Sequence, residues 1–221
     1  MQLRRFLTGL TAAAVVALAG VSAQATTRIM APGFDYVIGG AGVNALICSG
    51  KVLSQSPTSV TFPNSTRTLP AIEYTIECSK ILKGNKDYPA GETPRTVKIK
   101  MYAGIMKDNP HPVVGEEGLH IFYGNSVVGL TSYAFGKQGV FIYKDVDGRK
   151  VAVSPAGKGL FFKNKDIQAK FMKANPNNSK FLRKGPIVEE GFDTPELASE
   201  EDLTPEALES AVRTVLSVEG R

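Results

Sequence analysis

The chain has 221 residues, 43% hydrophobic and 21% charged, with 26 Lys and Arg against 21 Asp and Glu. Past residue 25 no apolar run approaches the roughly 20 residues that a spanning helix needs, so the mature chain is expected to be soluble. The length suits one domain with appendages, long enough to bury a real core.

The first element is a leader. Met1 to Arg5 is short and basic, Phe6 to Val21 is apolar, and Ser22-Ala23-Gln24-Ala25 ends in a small-x-small pattern. This predicts a secretory signal peptide over residues 1–25, cleaved between Ala25 and Thr26, and a periplasmic or secreted mature protein. Val21 stands where a lipoprotein would carry Cys, so no lipid anchor is expected. Phe6-Leu7 follows Arg5 directly, which favours general secretion over the twin-arginine route. Polar Ser22, Gln24, Thr26 and Thr27 close the run too early for an uncleaved anchor, so no stable membrane insertion is expected.

Next comes Tyr36 to Ala45, with Gly40, Gly42 and Ala45 at the offsets of a dinucleotide fingerprint. That chemistry needs a helix beginning at the glycines, whose amides face the pyrophosphate. Here a strand-like run follows and no acid stands about 20 residues on. The glycines are read as a turn into the first strand, and no cofactor is expected.

Residues 26–163 read as a β domain. Ala45–Leu53 and Ala71–Leu82 are long strand signals; in the second, Ile72, Tyr74, Ile76 and Cys78 alternate with polar residues. Gln55 to Pro70 has loop composition. Thr96–Tyr102 and Leu119–Tyr123 follow, and Val140–Tyr143 and Lys150–Val153 flank Asp147-Gly148, a tight-turn signal. Five or more strands with no helical period between them predict a small antiparallel barrel or sandwich, compatible with an OB-like barrel.

Cys48 and Cys78 are the only cysteines. Each falls on an apolar strand face, with Leu46 and Val52 or with Tyr74 and Ile76. If the two strands are antiparallel neighbours, the cysteines approach across the sheet, and an oxidising compartment closes a disulfide. The alternative is two buried thiols on strands that are not adjacent.

Several constellations imitate sites. Gly124 to Gly129 around Ser126 nearly matches a hydrolase elbow, but the second Gly stands three residues after the Ser instead of two. A hydrolase would combine Ser126 or Ser132 with His120 and Asp108. His111, Glu116, Glu117 and His120 lie close together, yet Pro110, Pro112, Gly115 and Gly118 bar a zinc-protease helix. Glu116-Glu117-Gly118 instead reads as a turn into the fourth strand, with His120 on its solvent side. Asp145 and Asp147 resemble half a calcium loop without the later ligands, which the hairpin turn explains.

Residues 164–203 form a basic then acidic connecting segment. From Lys137 to Lys184 there are 12 Lys and Arg against 3 acids; from Gly185 onward there are 10 acids against 2 Arg. The basic part offers itself to an anionic partner that the acidic part masks, or the two simply attract each other within one molecule. Nucleic acid is not expected as a partner of an exported protein. A short helix is predicted around Asp166 to Ala174. Residues 204–221 are a better helix: Thr204 is the N-cap, Pro205 the first helical position, and Leu208, Val212, Val215 and Leu216 share a face. That face should dock on the barrel.

Three segments form an ordered series: Glu77 to Gly84, Gly115 to Gly124, and Gly129 to Phe141. The series resembles a loosely defined group of exported bacterial proteins with an OB-like, netrin-module-like small barrel. The resemblance would cover roughly residues 44–155, and a short C-terminal helix is a further shared trait. It implies a fold but no activity. Eukaryotic metalloprotease inhibitors share a similar barrel but rely on an N-terminal Cys and several disulfides, which this chain lacks.

Three functions follow as expectations. The first is an exported non-enzymatic binding or scaffold protein with a protein partner, contacting it through loops 54–70, 104–118 and 124–138. The second is an inhibitor or regulator of an exported protease. The third is a metal-dependent or serine hydrolase.

Overall fold

A computed structural model describes residues 32–104, 110–155, 157–186 and 198–220. The leader with its Ala25–Thr26 junction, Asp108, and most of the acidic stretch after Pro186 lie outside the described residues.

Six antiparallel strands form one sheet: β1 (Leu46–Thr61), β2 (Thr68–Lys83), β3 (Arg95–Tyr102), β4 (Glu117–Phe122), β5 (Val140–Val146) and β6 (Arg149–Val153). Their order is β3-β2-β1-β4-β5-β6. The expected barrel is therefore corrected to an open sheet. Its two end strands meet other parts of the chain instead of each other. Ala152 of β6 donates to the Leu203 carbonyl, and on β3 the Lys100 carbonyl accepts from Thr131. Lys98 of β3 donates to the Tyr88 hydroxyl.

Each face of the sheet carries a core. On one face, Leu46, Cys48, Val52, Tyr74, Ile76, Cys78, Val97, Ile99 and Phe122 are buried together. The opposite face carries Ile47, Leu82, Leu119, Ile121 and Phe141 under a helical layer. That layer consists of α1 (Phe34–Gly40), α2 (Lys165–Ala174) and α3 (Pro205–Glu219). The C-terminal helix docks as its apolar stripe requires: Leu208, Ala211, Val212 and Val215 are fully buried. Thr204 Oγ1 accepts from the Ala207 amide, and Gly220 ends the helix in the left-handed conformation. Asn164 caps α2, and both carboxylate oxygens of Asp35 accept from the Lys163 and Asn164 amides at 2.9 Å, tying α1 to the start of α2.

Helix α1 is unforeseen, since seven residues ending in two glycines are too short for a periodic signal. It also inverts the nucleotide reading: the helix precedes the glycines and the strand follows them. No helix N-terminus then meets a phosphate at Gly40 and Gly42. Asp147 and Gly148 both take positive φ between β5 and β6, as a type I′ hairpin turn requires.

The expected loop 55–70 is also corrected. β1 continues to Thr61 and pairs with β2 through Thr68, so the turn shrinks to residues 62–67. The two prolines do not break this ladder. Phe62 donates to Arg67 across the hairpin, whereas the Pro70 carbonyl faces β3 and accepts from Ala103. Cross-strand bonds alternate along an antiparallel pair, which leaves Pro57 and Pro70 at positions whose amides need not face the partner.

Candidate binding arm and the disulfide at its root

Three register shifts interrupt the β1–β2 ladder, leaving Leu82, Ser79 and Leu53 as extra residues. Bulges bend and coil a strand pair. The second lets Cys48, opposite Ile81, lie beside Cys78, opposite Gly50. The cysteines form a disulfide with Cα atoms 5.7 Å apart, and both are fully buried on the face expected for them. Gly50 is required there: a Cβ would stand 2.7 Å from the Cys78 Cα.

His120 lies directly across from Cys48 on β4. It is fully buried, which corrects the solvent-facing expectation. The reason is the place of β4 between β1 and β5: Leu119 and Ile121 face the helices, so His120 and Phe122 must enter the other core. The imidazole stacks on Phe122 and Tyr133 at 5.9 Å each, and its Nδ1 shares a 2.8 Å hydrogen bond with the Tyr133 hydroxyl. Nε2 meets no group in hydrogen-bonding geometry among the described residues. Burial lowers the His120 pKa to about 4, with the Gly50 backbone pulling the other way. The same burial pushes the Tyr133 hydroxyl well above its usual value, helped by the Glu116 carboxylate.

Most of the candidate catalytic and metal residues bond partners outside the expected sets. Ser126 Oγ accepts from the Leu130 amide within its own turn, while His120 is committed to Tyr133. His111 Nδ1 bonds the Tyr74 hydroxyl at 2.8 Å, and Glu117 pairs with Lys150 at 2.8 Å on the surface. Among the described residues no three His, Cys, Asp or Glu side chains are grouped to hold a metal. No described helix is long and apolar enough to cross a membrane.

What the fold presents outward is the distal β1–β2 hairpin. β4 pairs with β1 only over Leu46–Lys51, after which the 115–116 turn bonds Val52. β3 pairs with β2 only over Ala71–Cys78. Beyond those limits the hairpin projects as an arm, with Arg67 its one charged residue between Leu53 and Ile72. Along its outer strand Ser54–Pro57, Ser59 and Thr61 are exposed. Leu53 and the neighbouring Val113 and Val114 are exposed at 45, 54 and 46%, with Phe62 exposed in the turn and Tyr102 where β3 ends against β2. These five are half of the ten large apolar side chains exposed among the described residues. Leu53, Val113 and Val114 gather at the root of the arm, where the 113–116 turn meets Val52, and exposed apolar side chains that gather mark a contact surface more than single ones do. Sequence reasoning flagged 54–70 as available for contacts but read it as a loop; the alternating Ser, Thr and Val were the missed strand signal.

The basic and acidic segments meet within the molecule, Lys158 pairing with Asp202 at 3.2 Å and Lys180 with Glu201 at 2.7 Å. These pairs are partly exposed and each contributes little stability. No family model, curated protein or solved structure matches the chain.

Proposed function

We propose that the protein is an exported, periplasmic or secreted, non-enzymatic binding module whose contact surface for a partner protein is the β1–β2 arm. The observation that carries this reading is the arm itself, a nearly uncharged double strand that extends past both neighbouring strands with exposed Leu53, Val113 and Val114 at its root. The Leu53 bulge lies at the base of the arm, and the disulfide and two further bulges tie the same strand pair into the sheet behind it, which lowers the ordering cost of a contact. The test is a photo-crosslinking amino acid placed at Gln55 in one strain and at exposed Lys170 on α2 in another. Irradiating intact cells should give a discrete adduct with a protein from position 55 and none from position 170. No adduct at 55, or the same pattern at both positions, refutes the reading. A protease in the adduct would turn the module into a regulator of that protease.

A further inference from the structure

The bare edge of the arm defines the kind of partner, an inference that rests on the arm being the contact surface. The two end strands of this sheet are each met along part of their length, and beyond Ile142 the β4-facing edge of β5 carries Lys144 and Asp145, charges that discourage an added strand. β3 is met by Tyr88 at Lys98 and by Thr131 at Lys100, and β6 by Leu203 at Ala152. The inner part of β1 is met by β4 and by the turn at Gly115 and Glu116. Among the described residues no strand lies against the outer edge of β1 from Ser54 to Thr61.

The hydrogen-bond phase of that edge is fixed at both ends. Val52 donates to the Glu116 carbonyl and accepts from Gly115, so its backbone faces away from β2. Leu53 is an extra residue, and Phe62 donates inward to Arg67. Alternation between these points aims the backbone of Gln55, Pro57, Ser59 and Thr61 outward. Three of the four offer both an N–H and a carbonyl. Pro57 offers a carbonyl alone.

We propose that this edge accepts an extended segment of a partner protein as an added β-strand, paired to Gln55, Ser59 and Thr61, with the partner's apolar side chains over Leu53 and Val114. An exposed row of backbone donors and acceptors matches another extended chain, and strand addition is an established way of binding one. The lack of charge on the outer strand leaves no electrostatic demand on the incoming segment. A second copy of this chain fits poorly. A two-fold pairing centred on Ser59 puts Pro57 opposite Thr61 in both copies, so each loses a bond, and Pro63 ends the ladder on either side. Pro57 therefore disfavours self-pairing while leaving a heterologous strand that omits one hydrogen bond.

The experiment pans random 12-residue peptides displayed on phage against the mature chain and measures the best synthetic peptide by fluorescence anisotropy. Ser59→Pro removes one outward donor and leaves the hairpin ladder intact; Gln55→Pro does the same if the first variant does not fold. Either should weaken binding at least about fivefold, and Pro57→Ser should strengthen it about two- to fivefold. A control chain has Asn-Gly in place of residues 57–72. Peptides that bind both proline variants as well as the parent, yet fail on the control, overturn strand addition but leave the arm as a binding surface. Peptides that bind the control equally well, or a panning that yields none, overturn both readings. A dimer of the parent chain that Ser59→Pro dissolves in sedimentation equilibrium would give the edge to a second copy and overturn the heterologous partner.

Discussion

The buried imidazole of His120 makes stability depend on pH in a window that exposed histidines do not reach. An unfolded chain holds this side chain at a pKa of 6.5, and the folded protein at about 4. Between those values the unfolded state binds a proton that the folded state refuses, so stability falls as pH falls. The contribution is fully present above pH 6.5, declines through the window, and is constant below about 4. At about 1.4 kcal/mol per pH unit, the whole window is worth about 3 kcal/mol, of which about 2 kcal/mol is lost between pH 7 and pH 5. His120→Phe keeps the stacking on Phe122 and Tyr133, frees the Tyr133 hydroxyl, and removes the titration. Carboxylates that titrate in the same range are common to both proteins and cancel in the difference. Urea unfolding of parent and variant at pH 7, 6 and 5 should therefore show the stability difference moving by about 2 kcal/mol in favour of the variant. A difference that stays constant within about 0.5 kcal/mol would mean that His120 is solvated in solution, and the argument for its burial would fail.

Three further outcomes follow. Closing a loop with a sequence separation of 30 residues predicts that Cys48→Ala with Cys78→Ala costs about 3.5 kcal/mol in denaturant unfolding; a loss below about 1 kcal/mol would show that the bulged ladder holds without the bond. Gly50→Ala drives a Cβ into the Glu77 carbonyl and Cys78 Cα, backbone that cannot swing aside, so thermal unfolding should shift down by at least 5 °C, and an unchanged midpoint would contradict the close strand approach. Leu208→Ala, in the fully buried stripe of α3, should cost about 2–5 kcal/mol, and a cost under about 1 kcal/mol would show that the helix does not dock.

The sequence by itself determined the features that depend on neighbours along the chain. Alternation from Ile72 to Cys78 placed one face of β2, Asp147-Gly148 made a hairpin, and Thr204-Pro205 started a helix whose stripe had to be buried. Both cysteines on apolar faces pointed to a disulfide once the strands paired. The bulge at Ser79, which puts Ile81 back on the face of Cys78, was not read from the sequence and came with the pairing to β1. What only tertiary structure decided rests on contacts between distant residues. The six-residue strand β4 has no polar alternation of its own to say that both its faces are covered, so His120 passed for a surface residue. Thr58, Val60 and Thr61 favour a strand, but the Ser, Gln and Pro around them dilute that signal, and the segment becomes an arm because each half pairs with the other and both prolines fall on outward positions. The sheet stays open, with Leu203 against β6 and Tyr88 and Thr131 against β3 where a barrel would join the two strands. Local propensity carries no information about which distant segment wins an edge, and that competition produced both the open sheet and the bare strand it leaves exposed.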